Sequence, residues 1–318
     1  MLISTSLIIQ TGNTENCNQH KHVWWRHLFT CLLLLIVGTT VSAQCGWNNA
    51  QENGNTYYPT VGNQTVNVGS GAFVRFQVKN TANYHYETCG SSYDTQISGF
   101  NSGGGYVGPY NDDACGLQSS ADWASNYDGE HRLQINSYPC GNYGAGSALL
   151  TYRCAPPASP AQGTAGNGTW NVYCYAAGDA AGGSGAWSSN YSGYYTEPNL
   201  SFSTGNRWVN TPYDASDYKG CYIGNDNHSW RAIRTGICGY YSIDINGHDD
   251  AAQLFINGVN RWEHIGCCDP HTGVWTGFLN PSDVVEFRVS EGGGGSNGQI
   301  TFNRTQPALT PGNNTWNV

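Results

Sequence analysis

Apolar and polar residues alternate along several short stretches of the chain. In the first half these are "VNVGSGAFVRFQV" (66–78), "HRLQINSY" (131–138) and "SALLTYRC" (147–154); in the second, "YYSIDIN" (240–246), "AQLFING" (252–258) and "VVEFRVS" (284–290). A period of two puts alternate side chains on one face, the pattern of a strand with one face buried and the other wet. The expected fold is all-β: two tandem antiparallel β-sandwich domains, jelly-roll-like, following an N-terminal signal peptide.

Two stretches break the alternation. Leu28 to Val37, "LFTCLLLLIV", is a continuous apolar run preceded by Lys21 and Arg26 and followed by Val41 and Ala43, a small-residue cleavage pattern before Gln44. Residues 1–43 therefore read as a signal peptide with an extended n-region. The run is short for a membrane span and nothing later is as apolar, so no span is expected after cleavage. The second stretch, "APPASPAQGTAGNGT" after Cys154, is rich in Pro, Ala and Gly and reads as a linker. The expected division is a first sandwich over 45–154, a linker over 155–167, a second sandwich over 168–304, and a tail over 305–318. That tail ends in "GNNTWNV" (312–318), which agrees at six of seven positions with "GNGTWNV" (166–172). A match of this kind predicts that a further module of the same chain begins there.

Composition sharpens this picture. The sequence of 318 residues carries 42 glycines, 21 tyrosines and 11 tryptophans but 13 Lys plus Arg, a balance that favours strands and turns. Without the leader, 11 basic face 21 acidic side chains, which argues against nucleic acid as a partner. Ten of the 12 cysteines remain, an even number in an exported chain, and no Cys-x-x-Cys pair suggests zinc. Disulfides and a secreted or cell-surface location follow. The cysteines split five and five between the halves, so at least one in each half stays free or reaches outside its module. Cys267 and Cys268 are expected to bond to different partners, because a ring closed between adjacent residues is strained.

The second half resembles the PA14 family of extracellular β-sandwich modules. The resemblance runs through "YSGYYTEPNLSF", "GICGYYSIDINGHDDAAQLFING" and "HTGVWTGFLNPSDVVEFRVSEGGGGSNGQITF", about Gly168 to Arg304. In sugar-binding members an adjacent aspartate pair holds calcium, which in turn receives sugar hydroxyls; here the pair falls on Asp249 and Asp250. The resemblance thus implies a calcium cofactor and a glycan or cell-surface polysaccharide as partner. Further ligands are sought at Asn225, Asp226 and Asn227 in "GNDNHSW" and at Asp269 after the paired cysteines. The chemistry is reasonable, since Ca²⁺ takes several hard oxygen ligands and fixed carboxylates also offset its charge. The bland alternative is an Asp-rich turn.

The first half resembles the prepeptidase C-terminal type of secreted sandwich through "YETCGSSYDTQISGF", "YNDDACGLQSSADW" and "HRLQINSYPCGNYGAGSALLTYR". Asp94, Asn111, Asp112 and Asp113 then become a second set of oxygen donors, with Asp112 and Asp113 as candidate metal ligands; the alternative is an Asx-rich turn that satisfies its own backbone. The same resemblance implies a bond between Cys89 and Cys115.

Enzymatic motifs are missing. Glu263 and His264 lack the His-Glu-x-x-His spacing of a zinc protease, no Gly-x-Ser-x-Gly occurs, and no Glu sits in a run that argues for an acid held protonated in an apolar pocket. Aromatic side chains that stack on sugar faces are a better functional case, with Trp230, Trp262 and Trp275 near the Asp-Asp turn as candidates. The sequence thus predicts a non-catalytic recognition module for calcium-assisted carbohydrate binding or adhesion. The alternatives are a structural spacer in a longer modular protein and an accessory region of a secreted hydrolase.

Overall fold

The computed structural model describes residues 44–305 apart from 49, 143–145, 159 and 178–189. The leader over 1–43 and the repeat at 312–318 lie outside the described residues. The chain is all-β, and among the described residues no helix is long and apolar enough to cross a membrane.

Among the described residues, the first sandwich has nine strands: β1 (Gln51–Tyr57), β2 (Gln64–Gly69), β3 (Ala72–Val78), β4 (Asn83–Glu87), β5 (Thr95–Asn101), β6 (Tyr106–Asn111), β7 (Ser120–Ala124), β8 (Gly129–Ser137) and β9 (Ser147–Ala155). They form a five-stranded sheet in the order β1-β3-β8-β5-β6 and a four-stranded sheet in the order β2-β9-β4-β7. Val74, Phe76, Ile97, Leu133 and Ile135 from the first sheet meet Val68, Tyr84, Tyr86, Leu150 and Tyr152 from the second in one buried cluster. The alternation read in "SALLTYRC" appears directly: Ala148, Leu150 and Tyr152 are buried while Leu149 faces solvent.

Among the described residues, twelve strands follow: β10 (Gly166–Asn167), β11 (Trp170–Tyr175), β12 (Tyr191–Glu197), β13 (Phe202–Ser203), β14 (Lys219–Gly220), β15 (His228–Thr235), β16 (Gly239–Asp249), β17 (Ala251–Ile256), β18 (Val259–His264), β19 (His271–Leu279), β20 (Val285–Glu291) and β21 (Asn297–Arg304). One sheet runs β14-β12-β11-β15-β20-β17-β18 with β10 paired on β15; the other runs β13-β21-β16-β19. Trp170, Trp230, Leu254 and Phe287 of the larger sheet pack against Ile243, Ile245, Ile300 and Phe302 of the smaller.

The stretch read as a linker is tied down. Gly166 and Asn167 pair in parallel with Arg234 and Thr235. The Tyr173 hydroxyl donates to the Thr164 carbonyl at 2.7 Å, and the Asn171 amide donates to the same carbonyl at 3.0 Å. This segment helps cover the outer face of β11, which explains why all six residues of that strand are buried rather than alternate ones.

Among the described residues, four disulfides join Cys45 to Cys140, Cys89 to Cys115, Cys154 to Cys221 and Cys267 to Cys268. The last corrects the expectation of separate partners. The ring between adjacent residues does close here, in a turn whose Cys268 amide donates to the His248 carbonyl at 2.8 Å. Cys154–Cys221 links the two sandwiches, and Cys221 is buried within the core of the first. Beside it the Tyr222 amide donates to the Pro59 carbonyl at 3.1 Å, and the Tyr58 and Tyr222 rings lie 4.7 Å apart. Cys174, buried, and Cys238, exposed, are free thiols.

Candidate cation and ligand site

Asp249 ends β16 in the smaller sheet of the second sandwich, and Ala251 begins β17 in the larger one. The Asp249–Asp250 step is therefore the corner at which the chain passes between sheets, and its peptide bond is cis. β20 lies beside β17 with Ser290 opposite Ala251, and the Asp250 amide donates to the Ser290 carbonyl at 2.7 Å. The next residue along β20 is Glu291.

That register brings one carboxylate oxygen each of Asp249, Asp250 and Glu291 within 4.8 Å of one another. Glu291 is 1% exposed, and neither of its oxygens makes a hydrogen bond of ordinary geometry. Burial, reinforced by the charges of Asp250, Asp249 and Asp226, raises its carboxyl to about 7. Burial and then Asp250 also raise the Asp249 carboxyl. None of the ion pairs among the described residues brings a Lys or Arg to this trio. Three carboxylates with a buried member and no cationic partner are costly unless protonated or matched by a cation. The donor set fits a hard divalent ion, and Ca²⁺ in particular, which accepts carboxylates at flexible angles and leaves positions for further oxygens.

Two loops form the rim. Asp250 Oδ2 accepts the Gly292 amide at 3.0 Å, and Asp226 Oδ1 accepts the Gly294 amide at 3.0 Å. The glycine run after β20 is thus held from both sides. Asn225, Asp226 and Asn227 are exposed on the turn before β15, with Asn227 in the left-handed region at φ 54°. Asp226 serves as an anchor for the glycine loop, and its charge reaches Glu291.

Other sequence-based candidates fall elsewhere. Trp230 is fully buried, wedged over Gly298, where an added Cβ would lie 2.4 Å from its ring, so it is a core residue and not a stacking platform. Trp262 and Trp275 are partly buried against the same core. Asp269 is exposed and its charge acts on His248 rather than on the carboxylate trio. In the first sandwich Asp94, Asp112 and Asp113 do converge, with oxygens within 4.8 Å. Burial first, then the neighbouring carboxylates, raises the Asp94 carboxyl. Asn111 instead caps local backbone, its side-chain oxygen accepting the Ser120 amide at 3.0 Å.

Sequence reasoning misses Glu291, finding no Glu in an apolar setting. The signal available is the phase of "VEFRVSE": Val285, Phe287 and Val289 take the inward positions, and Glu291 falls on the next one.

No family model matches the chain, and no curated protein matches it. Among solved structures, an anti-sigma factor domain-containing protein from Clostridium clariflavum aligns at 12% identity and a TM-score of 0.31, over 77% of this chain and 81% of that one. The GH31 alpha-xylosidase from Xanthomonas citri aligns at 10% identity and a TM-score of 0.27, over 75% of this chain and 21% of that one. Likenesses this remote carry no inference about activity.

Proposed function

We propose that the second sandwich is an extracellular, non-catalytic recognition module that binds carbohydrate through a calcium ion at Asp249, Asp250 and Glu291. The observation that carries this reading is the Glu291 carboxylate, 1% exposed and with no Lys or Arg among the described residues paired to it, beside two further carboxylates. A cation at their centre would offset the charge, and its remaining coordination positions would face the rim formed by Asn225 to Asn227 and the glycine loop. Vicinal sugar hydroxyls are hard, neutral oxygen donors suited to replace water there. The PA14-like sequence around the aspartate pair supports the same reading.

A spacer role is the second reading, favoured by the Cys154–Cys221 bond and the pinned segment between the sandwiches. Glycan-array binding with calcium, with chelator, and with the D249N/D250N variant separates the two. Binding that needs both calcium and the aspartates supports recognition. Calcium-dependent stabilisation without any glycan signal supports the spacer.

A further inference from the structure

His248 near the end of β16, His264 at the end of β18 and His271 at the start of β19 bring one ring nitrogen each within 4.8 Å of one another. His248 is fully buried and the other two are partly buried. On each ring one nitrogen is buried without a hydrogen-bond partner: Nε2 of His248, Nδ1 of His264 and Nε2 of His271. Three rings so close together, each with a buried nitrogen lacking a partner, are unusual, because a buried polar atom without a partner is costly. From these groups we infer that the second sandwich holds a second metal site, a three-histidine site for a borderline-soft divalent ion such as Zn²⁺, distinct in chemistry from the carboxylate trio.

Ring geometry agrees with this. Three imidazoles bound about 2.0 to 2.1 Å from a tetrahedral ion have ring centres roughly 5 Å apart. The observed separations are 5.0 Å for His248 and His264, 5.5 Å for His248 and His271, and 4.5 Å for His264 and His271. The fourth position would be left for water or a ligand, as in zinc sites with three protein donors.

The tautomer of His248 is also set for ligation. Its Nδ1 lies 2.7 Å from the Asp250 carbonyl oxygen, which can only accept, so Nδ1 carries the proton and the Nε2 lone pair is free. An outer hydrogen bond of this kind fixes ring orientation and raises ligand basicity at metal sites. The other two histidines flank the turn closed by Cys267 and Cys268, whose amide at Cys268 is tied to the His248 carbonyl at 2.8 Å. The Trp262 ring lies 5.8 Å from that of His248 and 5.0 Å from that of His271, which shields one side of the cluster. Imidazole donors favour Zn²⁺, Cu²⁺ and Ni²⁺ over Ca²⁺, so the two sites would select different ions.

The test uses the purified full chain, non-reduced so that the Cys267 and Cys268 sulfurs stay bonded and cannot act as thiolate ligands, with calcium restored after stripping and kept in every later step. Metal-stripped protein is reloaded with Zn²⁺, dialysed and assayed for bound metal, and Co²⁺ is substituted as an optical probe. The expected result is one Zn²⁺ per chain and an intense visible Co²⁺ spectrum of tetrahedral type. Both should persist in D249N/D250N, which separates this site from the calcium reading. In H264A/H271A affinity should fall by more than the roughly 10- to 100-fold that losing an outer-shell partner costs. Failure to retain Zn²⁺, or equal retention by a folded H264A/H271A, would overturn the assignment. Should that variant not fold, electron paramagnetic resonance of the Cu²⁺-loaded native chain decides instead: nitrogen splitting from three imidazoles upholds the site, and fewer overturns it.

Discussion

The carboxylate of Glu291 is buried beside that of Asp250, and Asp250 in turn accepts the amide of Gly292, the residue next after Glu291. The pair is thus locked together by the backbone of the loop it shapes, so repulsion cannot be relieved by one side chain swinging into water. Replacing Glu291 by Gln removes a charge but keeps the shape. Without metal, E291Q should be more stable than the native chain near neutral pH, whereas its response to calcium should be lost. The native response is about RT ln(1 + [Ca²⁺]/Kd), roughly 2.7 kcal/mol at a hundredfold excess over Kd. Thermal unfolding with calcium and with chelator reads both effects. Destabilisation of E291Q in chelator, or undiminished stabilisation by calcium, would show that the trio is not a cation site.

The same logic applies to the aspartates with a different control. D249N/D250N keeps side-chain size and turn preference while removing both charges, so it should fold and lose calcium-dependent stabilisation. If calcium still raises its melting temperature, the ion sits elsewhere, and D112N/D113N in the first sandwich becomes the variant that should abolish the effect.

Cys154 and Cys221 lie 67 residues apart in sequence and join the two sandwiches. Closing a loop of that length restricts the unfolded chain by about 4 kcal/mol in the chain-entropy account. C154S/C221S should therefore lower the unfolding midpoint in denaturant and make the two sandwiches more readily separable by limited proteolysis. A single cooperative transition at an unchanged midpoint would mean that the remaining contacts, such as Tyr58 on Tyr222, suffice to hold them.

Strands with one wet face were legible because side-chain alternation survives in β9, β16 and much of β3. β11 was not legible in this way. Its sequence "WNVYCY" is buried on both sides because the preceding segment folds over it, a tertiary event with no local signal. The aspartate pair was visible as a motif, but its third carboxylate depends on the register of β17 against β20, which brings together residues about 40 positions apart. The histidines are likewise drawn from three strands. Trp230 was misplaced for a related reason: nearness in sequence to a loop does not say which face of β15 a residue occupies, and Gly298 across the sandwich makes room for its ring in the core.

Trp230 and Trp262 should consequently respond differently to truncation. W230A removes a fully buried indole that packs against Phe287 and Phe202 and should cost about 3 to 5 kcal/mol. W262A removes a partly buried ring beside the histidines and should cost clearly less. Chemical denaturation of both variants compares them directly, and a larger loss for W262A would contradict the packing described.

Acid stability should depend on His131, which is fully buried on β8 with its ring 4.2 Å from that of Trp123. Burial lowers its pKa from 6.5 to about 3. Below pH 6.5 the unfolded chain takes up a proton that the folded chain refuses, so stability falls as pH drops, by up to about 1.4 kcal/mol per pH unit from this residue. The loss continues until the folded pKa near 3 is reached. His228 adds a loss of the same sign down to about 4. Glu291 works in the opposite direction, because its raised carboxyl favours the folded protonated form between the ordinary carboxylate value and about 7. The variant H131F keeps an aromatic ring against Trp123 but cannot titrate, and the difference between its stability curve and the native one isolates His131. That difference should be flat above pH 7 and should grow in favour of H131F from pH 6.5 downward, clearest above pH 5 where ordinary carboxylates stay ionised. Parallel curves across this range would mean that His131 is reached by water and protonates in the fold.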